Sequence, residues 1–414
     1  MIQSIIIAVV ATLVIVLLLV ILLLYAKSKL TFSGKVNIDI NDGDKVLSVS
    51  AGSSLLTTLA DNGIFLPSAC GGQGTCGMCK CQVLEGGGEI LSTETSHFSR
   101  RQQKDHWRLG CQVKVKNNLK IKIPESVLGV RKWECEVVSN RNVATFIKEF
   151  VVKLPEGENL NFRSGGYIQI DVPKYSGIKF SDFDVADEYR EDWDRNKMWG
   201  LVANNPEPTF RAYSMANHPA EGNIIMLNIR IATPPWDRAA GAFADVPPGI
   251  CSSYIYSLKP GDKITISGPY GEFFIKDTPN EKMFIGGGAG MAPMRSHIFD
   301  LFMTKHCKFP VSFWYGARSR REIFYEDQFN QIASENDNFR FDIALSEPKP
   351  EDNWTGYVGF IHQVIYDNYL KFHDAPEDIE YYICGPGPMT AAVEKMLDDL
   401  GVPKENIMYD NFGA

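Results

Sequence analysis

The 414-residue sequence has no excess of positive charge. It carries 42 Lys and Arg against 50 Asp and Glu, for a net charge of −8. Nucleic-acid-binding proteins present a basic face, so this balance argues against that class. Internal repeats and low-complexity segments are also missing. The 44% of hydrophobic residues is sufficient for about two or three ordinary domains with their own cores.

Charged side chains are also missing from residues 1–26. From Ile5 to Tyr25 the chain is almost purely aliphatic, which is long enough for a helix to span about 30 Å of hydrocarbon. A secretory signal peptide is the alternative, but no Lys or Arg precedes the run and no small-x-small cleavage site follows it. Lys27, Lys29 and Lys35 follow the run. The positive-inside rule therefore predicts one transmembrane helix in residues 1–26, with the bulk of the protein in the cytoplasm.

A short polar linker, residues 27–34, precedes a predicted α+β domain over residues 35–128. Alternating residues 35–40 and 46–50 predict two strands around a tight turn. Ser53 or Ser54 is expected to cap a helix that runs to Asn62. Residues 111–115 and 120–123 are interpreted as further strands.

The middle of the chain, residues 129–279, contains alternating strands, as at residues 168–172 and 224–231. Between them lies a long acidic and aromatic insertion, residues 174–199. It is either a solvated loop or a docking surface, and the solvated loop is favoured because charge runs are usually solvated.

The last part, residues 280–414, alternates short buried-type strands with helical stretches. The strands are predicted at residues 283–285, 311–315, 339–344 and 380–384. This alternation predicts a parallel doubly wound α/β sheet.

The strongest chemical motif is Cys70-x5-Cys76-x2-Cys79, with Cys111 further along the chain. Cytoplasmic cysteines are reduced, so a cysteine cluster indicates metal ligands rather than disulfides. An iron–sulfur cluster needs four thiolates, and the glycines of this loop let the backbone curl around it. Structural zinc is the rival, but zinc sites usually show two Cys-x2-Cys pairs and only one is present here.

Two further motifs suggest a phosphate-containing cofactor in the middle domain. Arg211-Ala212-Tyr213-Ser214 is interpreted as a strand, while Gly249-Ile250-Cys251-Ser252-Ser253 opens a helical stretch. A glycine followed by serines at a helix N-terminus offers free N–H groups to a phosphate. An ordinary serine cap remains an equal alternative for the second motif.

Glycine-rich turns follow two strands of the last domain. Gly286-Gly287-Gly288 continues into Gly288-Ala289-Gly290-Met291-Ala292-Pro293, where small residues would let a dinucleotide pyrophosphate approach the backbone. Cys384-Gly385-Pro386-Gly387-Pro388-Met389 would lie at the carboxyl edge of the sheet, where doubly wound folds bind ligands.

Taken in order, these motifs resemble a known arrangement. The cysteine loop is similar to 2Fe–2S ferredoxins with the x5 spacing, and the later motifs are similar to the ferredoxin–NADP reductase superfamily. With the N-terminal span and the acidic insertion, the whole chain resembles the family of F subunits of Na⁺-translocating NADH:quinone oxidoreductases. The resemblance implies a β-grasp ferredoxin domain, an antiparallel β-barrel FAD domain and a doubly wound NADH domain.

The resemblance also implies roles in flavin binding. Arg211 would neutralise the FAD pyrophosphate, Tyr213 would lie against the isoalloxazine ring, and Ser214 would bond near the reactive flavin nitrogen. The phosphates would be held at Gly249, Ser252 and Ser253. Cys384 would lie close to nicotinamide and flavin, and Phe412 would cap the flavin.

For NADH, the resemblance points to a set of small and cyclic residues: Gly286, Gly287, Gly288, Gly290, Pro293, Gly385 and Pro386. NADH is expected to be preferred over NADPH. Arg318, Arg320 and Arg321 count against this preference, because arginines at this position normally bind a 2′-phosphate. Glu322 and Glu326 are expected to occupy them.

The cluster ligands implied by the resemblance are Cys70, Cys76, Cys79 and Cys111, whereas Cys81 is interpreted as a half-buried strand residue. The implied partners are the other members of a multi-subunit complex in the bacterial inner membrane, quinone as an indirect acceptor, and no nucleic acid. Two rivals are weighed: the reductase component of an oxygenase, and a non-enzymatic anchored ferredoxin.

Overall fold

The fold is that of a computed structural model, which describes residues 12–22, 34–237, 239 and 241–410. Residues 12–22 form an exposed helix, α1. Within the described ranges, no helix is long and apolar enough to cross a membrane. The predicted span continues on both sides of α1 into residues outside those ranges. The chain divides into two compact units. The first comprises the chain up to Leu66 together with Gly72–Gly129, and the second comprises Pro67–Gly71 together with the chain from Val130.

The first unit is a five-stranded mixed sheet in the order β2-β1-β5-β3-β4, with β1 and β5 parallel. Its strands are β1 Lys35–Ile40, β2 Lys45–Ser50, β3 Lys80–Glu85, β4 Trp107–Leu109 and β5 Leu119–Lys122. Its helices are α2 Leu55–Asp61, α3 Ser92–Thr95, α4 Arg100–Lys104 and α5 Glu125–Leu128. The predicted cap of α2 is confirmed at Ser54, whose hydroxyl accepts from Thr57 N–H at 3.2 Å.

The predicted strand at residues 111–115 is wrong. Strand β4 ends at Leu109, and Cys111 lies in the turn that follows, with only one isolated bridge between Lys114 and Ser54. The N–H groups of Gln112 and Val113 both bond the Leu109 carbonyl, which closes a turn instead of a ladder. Residues 111–115 therefore alternate between buried and more exposed positions because they pack against a loop, not because they pair as a strand.

The second unit begins with a six-stranded antiparallel sheet in the order β11-β8-β15-β6-β7-β12. An isolated bridge between Met215 and Leu227 joins its two edges, which gives the expected barrel form. The strands are β6 Arg131–Ala144, β7 Ile147–Lys153, β8 Tyr167–Val172, β11 Thr209–Ser214, β12 Ile224–Arg230 and β15 Lys263–Tyr270. The small hairpin of β13 Trp236–Asp237 and β14 Ala242–Phe243 and the helix α7 Ile250–Ser257 accompany it.

The acidic insertion, predicted to be a solvated loop, is instead packed structure. It contains β9 Tyr175–Lys179, which pairs with β10 Val202–Asn205, and the helix α6 Asp187–Arg195. Phe180 and Trp193 are fully buried in the barrel core. The acidic run of the sequence did not indicate this arrangement. The aromatic side chains face inward, and the free energy gained by burying them outweighs the gain from solvating the acidic residues as a loop.

The last part of the chain forms a six-stranded sheet in which every pairing is parallel, in the order β19-β18-β17-β16-β20-β21. Its strands are β16 Lys282–Gly287, β17 Val311–Ala317, β18 Phe339–Leu345, β19 Tyr357–Val358, β20 Glu380–Cys384 and β21 Ile407–Tyr409. Its helices are α8 Met291–Phe299, α9 Glu326–Glu335, α10 Ile361–Asn368 and α11 Gly387–Asp399. The prediction of a doubly wound parallel sheet is confirmed, and the strand order reverses at β16.

Candidate functional site

The cysteine loop has a backbone that only glycine adopts easily. Gly71, Gly72, Gly74 and Gly77 all have positive φ, between 67° and 89°. A Cβ at Gly77 would lie 2.5 Å from His97 Nδ1, and one at Gly74 would lie 2.5 Å from Gln112 Nε2. The loop is therefore curled and tightly lined, as a site that wraps a small inorganic cluster requires.

The thiols of Cys79 and Cys111 are hydrogen-bonded neighbours, and this contact together with burial raises the pKa of Cys79. Cys81 is fully buried within β3, and its thiol faces the Arg108 carbonyl at 3.9 Å. Among the residues that the structure describes, no three metal-binding side chains converge on one ion position. Thiolate donors and a glycine cradle fit an iron–sulfur cluster, and the four-cysteine ligand set stays a prediction.

Strand β11 carries the predicted flavin motif along the barrel edge. The half-buried guanidinium of Arg211 donates to the Thr209 hydroxyl at 3.2 Å and to the Phe210 carbonyl at 2.8 Å. It has no carboxylate partner among the residues that the structure describes, so it is available to a phosphate. Tyr213 projects from the same face of β11 as Arg211, because side chains alternate along a strand.

Ser214, at the end of β11, reaches a residue that sequence reasoning missed. Its hydroxyl donates to Asp410 Oδ2 at 2.6 Å. Burial raises the pKa of Asp410 to about 7, against the bond from Ser214, which lowers it. Cys384 is 5% exposed at the end of β20, and burial with the nearby Asp410 charge raises the pKa of its thiol. Ser214, Cys384 and Asp410 thus form one group, whereas Phe412 lies outside the described residues.

The predicted phosphate seat at the start of α7 is only partly free. The Ser252 hydroxyl is engaged within the chain: it accepts from Ala232 N–H at 3.1 Å and donates to the Gly249 carbonyl at 3.3 Å. The Ser253 hydroxyl, in contrast, is fully buried and has no hydrogen-bond partner among the described residues. Buried hydroxyl groups are normally hydrogen-bonded, so a bound phosphate would supply the hydrogen-bond partner that the Ser253 hydroxyl lacks among the described residues.

A cleft of about 480 Å³ opens at the carboxyl edge of the parallel sheet. Gly288 and Pro386, two of the residues predicted to bind NADH, line it together with Tyr315, Arg318 and Phe360. It lies where the strand order reverses, which is where doubly wound sheets bind nucleotides.

Most of the other residues predicted to bind the nucleotide are glycines that lie close to neighbouring chain segments. A Cβ at Gly290 would overlap the Cys384 carbonyl, and one at Gly385 would overlap Met389. A Cβ at Gly287 would lie 2.8 Å from Met389 Sδ, and Gly286 packs on Phe313. Pro293 is buried inside α8. These glycines let the turns after β16 and β20 meet below the cleft.

Three families match successive parts of the chain. Residues 38–116 match the 2Fe-2S iron-sulfur cluster binding domain, residues 200–275 the oxidoreductase FAD-binding domain, and residues 284–395 the oxidoreductase NAD-binding domain. The chain is therefore an oxidoreductase that uses FAD, a 2Fe–2S cluster and NADH. The non-enzymatic carrier weighed from the sequence is thereby excluded.

Full-length relatives decide the family. A Yersinia enterocolitica protein, named as the F subunit of Na(+)-translocating NADH-quinone reductase, is 60% identical over 413 residues, which is 100% of both chains. This chain belongs to the same family of F subunits. A Methylococcus capsulatus protein of the same name is 60% identical over 391 residues and covers 94% of this chain and 95% of its own. Membership of this family decides against an oxygenase reductase component.

Solved structures share the fold of this family member at low identity. The Amycolatopsis cytochrome P450 reductase has a TM-score of 0.63 at 21% identity and covers 91% of this chain and 98% of its own. The ferredoxin reductase of carbazole 1,9a-dioxygenase has a TM-score of 0.58 at 24% identity and covers 92% and 99%. At these identities the likeness shows the fold alone.

The Ser214–Asp410 pair predicts a pH-dependent step. Ionised Asp410 accepts the only hydroxyl proton of Ser214, whereas protonated Asp410 can donate to Ser214. If Ser214 lies beside the flavin, as the sequence predicts, its own proton would then be free to bond the flavin. We expect flavin reduction by NADH, followed by stopped-flow absorbance, to slow as the pH rises through about 7. Asp410→Asn should flatten this profile, while the exposed Asp399→Asn should not; an unchanged profile in Asp410→Asn would contradict the assignment.

Proposed function

We propose that this chain is the NADH-oxidising subunit of a sodium-translocating NADH:quinone reductase in the bacterial inner membrane. NADH gives a hydride, FAD accepts the electron pair, and the 2Fe–2S cluster takes single electrons toward other membrane subunits and finally quinone. The observation that carries the proposal is the 60% identity over 413 residues to a relative of that name. Sodium transport and quinone reduction would take place in the partner subunits, since one transmembrane helix cannot contain both a sodium path and a quinone site.

Three domains would divide this work: residues 35–128 for the cluster, 129–279 for FAD and 280–414 for NADH. Arg211 would neutralise the FAD pyrophosphate, which is supported by its lack of a carboxylate partner within the described part of the chain. Ser253 is a better phosphate-holding candidate than Ser252, because its buried hydroxyl has no partner among the described residues. NADH would occupy the 480 Å³ cleft.

The decisive experiment is purification of the membrane complex that contains this chain, followed by reconstitution in vesicles. NADH added outside these vesicles should drive sodium uptake into them together with quinone reduction. Reduction of quinone without any sodium movement would contradict the proposed translocase, while loss of both with retained flavin reduction would locate the fault in the partner subunits.

Residues 1–26 would anchor the chain as a single-pass helix with the other domains in the cytoplasm. We therefore expect a chain lacking residues 1–26 to be recovered without detergent, with FAD and cluster bound, because the cofactor motifs all lie beyond residue 66. It should reduce artificial acceptors with NADH but not quinone in membranes. A well-folded truncated chain that binds no flavin would contradict this division of roles.

NADH should be preferred over NADPH by more than about tenfold in kcat/KM. Arg318 lines the cleft but has Glu347 at 3.9 Å, and a carboxylate there would repel a 2′-phosphate. Glu347→Gln should lower the ratio of kcat/KM for NADH to kcat/KM for NADPH. Glu326→Gln is the matched control, because Glu326 pairs with Arg320, which does not line the cleft; comparable kcat/KM values for both nucleotides in the unaltered chain would defeat the prediction.

A further inference from the structure

A side-chain amide lies beside one of the predicted cluster ligands. Gln112 directly follows Cys111 in the turn after β4, and its Nε2 donates to Cys111 Sγ at 3.6 Å. The amide is half-buried, while Cys111 is 7% exposed. The contact is therefore a hydrogen bond to sulfur that is partly shielded from water.

Two neighbours hold the amide in this orientation. The Thr93 hydroxyl donates to Gln112 Oε1 at 3.4 Å, so the oxygen end of the amide faces Thr93 and the NH₂ end faces the thiol. On the other side, Gly74 of the cysteine loop leaves room for the amide, since a Cβ there would lie 2.5 Å from Nε2. The sequence places these three residues far apart, and the fold brings them together at Cys111.

A donor aimed at a ligand sulfur has a defined effect on an iron–sulfur cluster. Each cluster accepts one electron and becomes more negative on reduction, and part of that charge resides on the thiolate sulfurs. A hydrogen bond to such a sulfur is stronger in the reduced state, so it raises the reduction potential. A buried setting increases the effect because water screens the interaction less.

We propose that Gln112 is a positioning residue that raises the reduction potential of the 2Fe–2S cluster through its side-chain hydrogen bond to Cys111. The proposal rests on the proposed role of Cys111 as a ligand. It assigns to Gln112 no part in electron transfer itself: one electron enters the cluster, no bond breaks, and no proton leaves the amide.

The test is a redox titration of the cluster in the full-length chain, monitored by EPR. Gln112→Leu removes the donor without adding charge, and Gln112→Glu replaces the NH₂ group with an oxygen in the same shape. At one fixed ambient potential, each should lower the ratio of reduced to oxidised cluster by about tenfold, which equals about 59 mV for a one-electron couple. Thr93→Val, which only frees the amide to rotate, should give a smaller change of the same sign.

Gln82→Glu is the matched control. Gln82 Nε2 donates to the Asp105 carbonyl at 3.0 Å in the same unit, so the charge change is identical but no sulfur is involved. Its titration curve should match that of the unaltered chain. If Gln112→Leu does not assemble a cluster, the titration of Thr93→Val tests the role of Gln112: a lowered potential supports it, and an unchanged potential contradicts it.

The outcomes separate the ligand assignment from the role of Gln112. A cluster that survives Cys111→Ser unchanged would defeat the ligand assignment. A cluster that is lost in Cys111→Ser but titrates at the same potential in Gln112→Leu would overturn the role of Gln112 alone. Flavin absorbance of each variant verifies that the rest of the chain is folded.

Discussion

Replacing Cys111 with serine is expected to abolish or strongly perturb the EPR signal of the 2Fe–2S cluster while leaving reduction of the flavin by NADH intact. The thiol of Cys111 is the hydrogen-bonded neighbour of Cys79, which belongs to the cysteine loop. The flavin and nucleotide motifs lie in the other compact unit, which has its own core and does not include Cys111, so flavin reduction is expected to persist in the variant. EPR of the reduced protein and stopped-flow absorbance of the flavin measure the two effects separately.

Cys81→Ser is the control for this substitution. Cys81 is fully buried in β3, its thiol faces the Arg108 carbonyl at 3.9 Å, and burial raises its pKa to about 12. Cys81 is thus held inside the strand against a backbone carbonyl, which is the setting of a structural thiol. The serine variant should therefore retain the EPR signal; the reverse pattern, with Cys81→Ser losing the cluster, would overturn the ligand assignment.

A second large effect is expected from Glu380→Gln. Lys282 and Glu380 begin the two central strands of the parallel sheet, and their side chains are 0% and 1% exposed with 3.0 Å between Lys282 Nζ and Glu380 Oε2. Removing the carboxylate leaves the buried Lys282 ammonium without its counter-charge, although it still donates to oxygens of Thr278 and Asn280. Breaking a buried ion pair in this way typically costs about 3–5 kcal/mol. Chemical unfolding of this domain, followed by tryptophan fluorescence, should show a lowered free energy of unfolding of that size.

The comparison for Glu380→Gln is Glu136→Gln. Glu136 also pairs with a lysine, Lys263, at 2.7 Å, but both side chains are more than half exposed. Water already solvates these charges, so the same chemical change should leave the unfolding curve almost unaltered. Equal effects of the two substitutions would show that burial is not what makes the Lys282–Glu380 pair important.

The structure also revises which carboxylates form ion pairs with the arginines of the nucleotide domain. Glu326 does pair with Arg320 at 3.4 Å, as expected from the sequence. Glu322 instead accepts from the Thr145 hydroxyl at 2.5 Å, and Arg321 pairs with Asp192 of the insertion at 2.9 Å. The prediction for Glu322 is therefore wrong, because its nearest partner comes from a segment that is distant in sequence.

The sequence by itself determined the features that depend on local spacing and period. Cysteine spacing indicated the cluster loop, alternation of strands and helices indicated the parallel sheet, and the Ser53-Ser54 pair indicated the start of α2, which the structure caps with Ser54. Each follows from covalent geometry or from hydrogen bonds between near neighbours, so a few consecutive residues suffice. The glycine turns after β16 and β20 were also visible as local motifs, although the approach of Gly290 to the Cys384 carbonyl that excludes a Cβ is a tertiary contact.

Only the tertiary structure decided the contacts between residues that are remote in sequence. Ser214 and Asp410 are 196 residues apart, and no local pattern marks Asp410 as a partner. The insertion packs into the core because Trp193 and its aromatic neighbours bury apolar surface there, which a charge count along the chain does not reveal. The turn at Cys111 likewise arises because its backbone bonds run to Leu109 and to the loop before α2 rather than to a neighbouring strand. Burial and pairing are properties of the folded chain, so these features emerge only when distant segments meet.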